Sequence, residues 1–138
     1  MKQQESFLKL NLLGQEAERL EQQIQAIDQQ ILELNSVSES IEEISKKTDE
    51  KTEILANLGK GVFLKTELKS KELLVNVGKD ILLKKTPEET RTTIEEQLEK
   101  LASGREKILK QIEKLQESMQ KILGEVKEEQ TKKPKDTE

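Results

Sequence analysis

Residues 59–83 read GKGVFLKTELKSKELLVNVGKDILL, and no helical spacing fits them. Val62, Leu64, Thr66 and Leu68 alternate with Phe63, Lys65 and Glu67, the period-two pattern of a strand. Leu73, Val75 and Val77 alternate with Leu74 and Asn76, and Ile81 and Leu83 with Leu82 and Lys84. Residues 52–58 (TEILANL) add a short strand before a turn at Gly59-Lys60-Gly61. The result is four strands in two hairpins. Residues 69–72 connect the hairpins, and Gly78-Lys79 is expected as a tight two-residue loop, where glycine takes the positive φ that such loops demand.

These strands have no clean polar face, because Phe63, Leu74 and Leu82 stand opposite the main apolar row. A lone hairpin is marginal in water, and apolar residues on both faces with open edges invite strands from another chain. The sequence therefore predicts oligomerisation through residues 52–85.

Outward on either side the spacing is helical. From Leu13 the apolar residues step by four and three through Ala17, Leu20, Ile24, Ile27, Ile31 and Leu34. This is a heptad seam that buries a stripe between two helices. Past Leu34 the strict register would take Ser38, Ile41 and Ser45, whereas the apolar residues are Val37, Ile41 and Ile44, which reads as a local stammer. Residues 46–51 (KKTDEK) carry no apolar side chain, and the helix is expected to end there, giving a first helical segment of 1–51.

Thr86-Pro87-Glu88-Glu89 is a helix start: Thr86 as N-cap, Pro87 in the first turn where its missing N–H costs nothing, Glu89 completing a capping box. The second seam is Ile94, Leu98, Leu101, Arg105, Ile108, Ile112, Leu115, Met119, Ile122 and Val126, broken only by Arg105. Arg105 follows Ser103-Gly104 and either loosens the coil or pairs with Glu33 or Asp28; a tolerated defect whose long side chain snorkels outward is the plainer account. The second helical segment is 86–127, and residues 128–138, with no apolar residue, read as a solvated tail. Reversed, the seams match: Leu13 comes opposite Ile122, Leu20 opposite Leu115, Ile27 opposite Ile108 and Ile41 opposite Ile94. The fold class is α+β, mainly α: a long antiparallel two-helix coiled coil joined by two β-hairpins. Each arm of 40–45 helical residues would be about 60–65 Å long. With one layer of burial, its far end is expected to fray.

Composition agrees and excludes much else. With 32% hydrophobic, 38% charged and 1% aromatic residues, the apolar side chains can fill narrow seams but not a thick core. Two Phe and a net charge of -4 argue against a nucleic-acid partner, which needs stacking rings or clustered cations. The absence of Cys and His removes thiol and imidazole chemistry, disulfides and the commonest metal ligands, so no enzyme, metal or cofactor is expected. It also fits a cytoplasmic protein. There is neither a signal peptide nor an apolar run long enough for a membrane. Gly59-Lys60-Gly61 lacks the further residues of a phosphate loop, and Glu pairs such as Glu42-Glu43 and Glu95-Glu96 read as solvated faces.

Apolar residues off the seam mark a second surface. Phe7, Leu8 and Leu12 near the start, and Leu123 in the second helix, cannot be buried between two helices. They are candidates for binding apolar segments of a partner, against the blander reading of a third helix, a self-contact or scattered surface residues.

The order helix, two hairpins, helix, with GKGVFLKTEL, LLVNVG, DILLKKT and the Pro-Glu-Glu helix start, resembles the α-type subunits of prefoldin, the archaeal and eukaryotic co-chaperone. Asn57 stands where that family often has Pro, and Asp80 where a second Gly is common. The resemblance implies a hexamer of two α-type and four β-type subunits, whose hairpins close into β-barrels. On this chain Val62, Phe63, Leu64, Leu74, Val75 and Leu82 would serve that oligomerisation. It further implies an ATP-independent holdase that captures unfolded client proteins at the coil tips and passes them to a group II chaperonin. Phe7, Leu8, Leu12, Met119 and Leu123 are the client-binding candidates. A structural subunit that assembles with itself into filaments or scaffolds is the alternative.

Overall fold

The computed structural model describes residues 2–46 and 52–132. The elements are α1 (Lys2–Lys46), β1 (Glu53–Gly59), β2 (Val62–Glu67), β3 (Leu73–Asn76), β4 (Leu82–Lys85) and α2 (Pro87–Lys132). They group into two compact units, Met1–Gln30 with Leu101–Glu138, and Ile31–Lys100.

In the first unit the apolar stripe is the core. Leu20 and Val126 are buried, while Leu13, Ala17, Ile24 and Ile27 on α1 and Ile108, Ile112, Leu115, Met119 and Ile122 on α2 are half-buried. Half-burial is what a two-helix stripe produces, since each seam side chain keeps one edge in water. On α1 the seam runs on through Leu10, Ser6 and Gln3. Val126 packs as deeply as the residues in the middle of the seam, at the end where fraying is expected. Helix α2 continues to Lys132, so residues 128–132, expected to begin a tail, are helical. Glu, Gln and Lys are good helix formers and prolong a helix already nucleated by its seam. The remainder of the expected tail, residues 133–138, and the expected end of the first helical segment, residues 47–51, lie outside the described residues.

In the second unit, Ile41 and Ile94 are buried and line one groove, and Arg91 Nη2 donates to Ser45 Oγ at 3.5 Å. The two helical stretches therefore run antiparallel with Ile41 level with Ile94, as the reversed seams predict. The stammer is not seen at its first step, where Ser38 is half-buried in the strict register and Val37 is 48% exposed, and past Ile41 both Ile44 and Ser45 are half-buried. A continuous helix keeps its geometric period, so a small serine takes the seam rather than the backbone tightening for one valine. Val37 instead lines the groove beside β3. Near the end of α1, Lys71 Nζ donates to the Ser45 carbonyl at 3.0 Å, placing a cation where the helix dipole is negative. Helix α2 begins as expected, with Glu89 N–H donating to Thr86 Oγ1 at 3.1 Å.

The strands form two separate antiparallel pairs, β1 with β2 and β3 with β4. In the first, Ile54 faces Thr66 and Ala56 faces Leu64, and the register shifts between Asn57 and Gly59 so that Leu58 is an extra, bulged residue. Leu68 is buried where its N–H closes the hairpin on the Thr52 carbonyl at 2.8 Å. In the second, Leu73 faces Lys85 and Asn76 faces Leu82.

Candidate functional site

The two hairpins turn in the same way. Asn57 Oδ1 accepts a hydrogen bond from Gly59 N–H at 2.8 Å, and Asn76 Oδ1 one from Gly78 N–H at 2.9 Å. Two residues after each asparagine begin three residues of positive φ: Gly59, Lys60 and Gly61 at 107°, 51° and 80°, and Gly78, Lys79 and Asp80 at 115°, 51° and 60°. Ile81 N–H donates to the Gly78 carbonyl at 3.0 Å, so the central pair of the second turn is Lys79-Asp80 rather than Gly78-Lys79. Asp is one of the few side chains that tolerate the left-handed region, so it replaces Gly61 of the first turn without changing the path.

The shared geometry reflects a repeat in the sequence. Asn57-Leu58-Gly59-Lys60-Gly61-Val62-Phe63-Leu64-Lys65 recurs nineteen residues later as Asn76-Val77-Gly78-Lys79-Asp80-Ile81-Leu82-Leu83-Lys84. Burial follows the repeat. Leu55, Leu58, Val62, Phe63 and Leu64 are exposed, and so are their counterparts Leu74, Val77, Ile81, Leu82 and Leu83. Five of the six oligomerisation candidates, Val62, Phe63, Leu64, Leu74 and Leu82, are among these ten. The sixth, Val75, is half-buried in a groove of about 420 Å³ lined also by Leu34, Thr93 and Ile94. Alternation sets Val77, Ile81 and Leu83 in the apolar row without singling them out for oligomerisation, and the nineteen-residue repeat is the signal that adds Leu55 and Leu58.

On the hairpins, large apolar residues are exposed, and among the described residues no further strand pairs with either open edge. An exposed apolar patch of this kind marks a surface for another protein. Among the described residues no group of three His, Cys, Asp or Glu is placed to hold a metal ion, and no helix is long and apolar enough to cross a membrane.

The second candidate surface lies at the start of α1. Phe7, Leu8 and Leu12 are 55%, 60% and 56% exposed, and Leu123 of α2 is exposed as well. Leu8 and Leu12 are one turn apart and share a face. Met119 differs from the other four: it is half-buried because the three-four spacing through Leu115 and Ile122 puts it in the seam. Between Leu12 and Ile31 no large apolar residue of α1 is exposed, so the cluster is set apart from the rest of α1 in its unit, although Leu109 of α2 is exposed too.

Two of the ion pairs on the helices are made by arginines. Arg19 donates to Glu16 one turn earlier, and this hydrogen bond holds the Glu16 carboxyl below its ordinary range and raises Arg19. Arg105 donates from Nε to Asp28 Oδ1 at 2.7 Å, and that bond raises the guanidinium further. Of the two partners weighed for Arg105, the structure supplies Asp28, so the residue is a paired group and not a mere defect.

The architecture defines a class of protein: two long helices that share a thin apolar seam, joined through two hairpins whose apolar residues remain uncovered. The family model of prefoldin subunits matches residues 13–132. Prefoldin subunit alpha of Methanosphaera stadtmanae is 30% identical over 94 residues, covering 68% of this chain and 67% of that protein. The cryo-electron-microscopy structure of filamentous PFD from Methanocaldococcus jannaschii shares the fold, with a TM-score of 0.73 at 19% identity over 85% of this chain and 97% of that one. The chain belongs to the prefoldin family, whose members are chaperone subunits and not enzymes.

Proposed function

We propose that this chain is an α-type subunit of a cytoplasmic, prefoldin-type complex that holds unfolded proteins without ATP. The observation that carries the reading is where exposed apolar residues cluster among the described residues: on both hairpins, and at the start of α1, with Leu123 exposed on α2, whereas Leu32, Val37 and Leu109 are exposed elsewhere on the helices. The hairpin residues pair with β-type subunits, two α-type with four β-type, and close into a barrel that removes the open edges. Phe7, Leu8, Leu12 and Leu123 hold the client, with Met119 beneath them in the seam. Several such weak surfaces in one assembly act on one client at high effective concentration, and a group II chaperonin receives it. The assembled complex is expected to suppress aggregation of a chemically denatured protein, and Phe7→Ser with Leu8→Ser to lose most of that suppression while keeping its helix content. Full suppression by the double variant would refute the client site.

A second reading is a self-assembling subunit that builds filaments or scaffolds. It is favoured by the likeness to filamentous PFD and by two hairpins offering the same apolar set, since two like faces per chain allow growth from copy to copy. Electron microscopy of the chain alone separates the readings: long polymers support the second, discrete particles formed only with partner subunits the first.

A further inference from the structure

Arg105 is the one charged residue among the seam positions of α2 between Leu101 and Val126. Its guanidinium makes a two-point contact with Asp28, Nε to Oδ1 at 2.7 Å and Nη2 to Oδ2 at 3.5 Å. Asp28 is not itself a seam residue. It follows Ile27 and stands on one flank of the α1 stripe. A leucine at position 105 would pack against either flank of α1 alike, whereas a planar fork bonded to one carboxylate selects a flank. The contact therefore fixes the roll of α1 about its own axis against α2.

The heptad carries that choice to Phe7. Residues 7, 14, 21 and 28 occupy one heptad position on α1, and 105 and 126 share one on α2. In an antiparallel pair Phe7 stands to Val126 as Asp28 stands to Arg105, three heptads or about 31 Å along the helix. At the two places between, Gly14 has no side chain to offer and Glu21 is exposed. Val126 is 6% exposed, and the large apolar residue that the heptad sets on that flank is Phe7, itself still 55% exposed. A roll of α1 toward that flank would draw Phe7 into the seam, and a roll away would uncover Val126.

We propose that Asp28 and Arg105 are positioning residues for the client surface: their fork holds α1 at the roll that keeps Phe7 at the edge of the seam with its outer face open to a non-native segment. The proposal rests on the reading of Phe7, Leu8 and Leu12 as client contacts, and its test separates the two. The chain has no cysteine, so Ser6→Cys and Phe7→Cys, each in the assembled complex, report by thiol modification which side of α1 faces α2. With the pair intact, the half-buried position 6 reacts more slowly than position 7. Arg105→Leu, which keeps the seam apolar, is expected to collapse that ratio and, with Ser6 and Phe7 native, to weaken suppression of client aggregation about fivefold, the scale of coupling between distant sites. Helix content and melting midpoint should not fall, and Asp28→Arg with Arg105→Asp should restore both readouts. Asp28→Asn, which leaves the α2 seam untouched, should shift the ratio the same way. An unchanged ratio in Arg105→Leu or in Asp28→Asn overturns the positioning role. A collapsed ratio with undiminished suppression shows that the pair sets the roll while clients are held elsewhere, which overturns the client-surface reading and the proposal with it.

Discussion

The coil and the hairpins use the same kinds of apolar residue to opposite ends. Leu20 at 3% exposure and Leu64 at 52% are both large aliphatic side chains in regular structure. Leu20 is covered because the heptad brings a second helix of the same chain against it. Leu64 is uncovered because a two-stranded hairpin has nothing to lay over its faces. A stripe needs one partner, and this chain supplies it; a two-sided strand needs more partners than one chain has. The difference teaches that stability of the single chain resides in the seam, and that the hairpins are where it depends on other chains.

The largest effect should come from the hairpins. Phe63→Asp together with Leu82→Asp puts a charge at the same place of both repeats and should abolish assembly, leaving a helical single chain of 15.8 kDa in sedimentation. Assembly that survives both charges would remove the contrast between the regions. Next, Leu20→Ala should lower unfolding free energy by about 3 kcal/mol, as expected for a buried leucine, whereas Leu123→Ala should stay within about 0.5 kcal/mol. Equal losses in denaturant titrations would mean that exposure does not separate structural from binding leucines here. Thr86→Ala should cost about 1 kcal/mol by leaving the Glu89 N–H without its cap. The smallest effect is on the acid side. Because the Arg19 hydrogen bond holds Glu16 below its ordinary value of 4.5, the pair adds stability that is fully present above that value and is lost as pH falls through the lowered one. Glu16→Gln should therefore cost a little stability at neutral pH and nothing once the carboxyl is protonated, which flattens the acid limb; a loss as large at low pH as at neutral pH would contradict the assignment.

Much of the fold is legible in the residues. The seams, their antiparallel match at Ile41 and Ile94, the Thr86 cap and the two hairpins follow from periodicity and end chemistry, which are local. What is not legible depends on neighbours. Val37 looks like a seam residue by its chemistry, yet the period is kept there by Ser38, and serine gives no hydrophobic signal. Val75 alternates like any outward strand residue, yet it is half-buried in a groove that Leu34, Thr93 and Ile94 also line. The end of α2 was unreadable for the opposite reason, since a charged run in solvent continues a helix as readily as it ends one. At the candidate binding surfaces, Phe7, Leu8, Leu12 and Leu123 are found by their departure from the seam, while Leu55 and Leu58 on the first hairpin are found by aligning the chain with itself.

Hydrogen exchange on the assembled complex, with and without a denatured client, tests the central claim most directly. The account predicts that residues 62–64 and 81–83 are protected by assembly and unchanged by client, and that client slows exchange around Phe7, Leu8 and Leu12. Protection by client at the hairpins, with none at the start of α1, would contradict it.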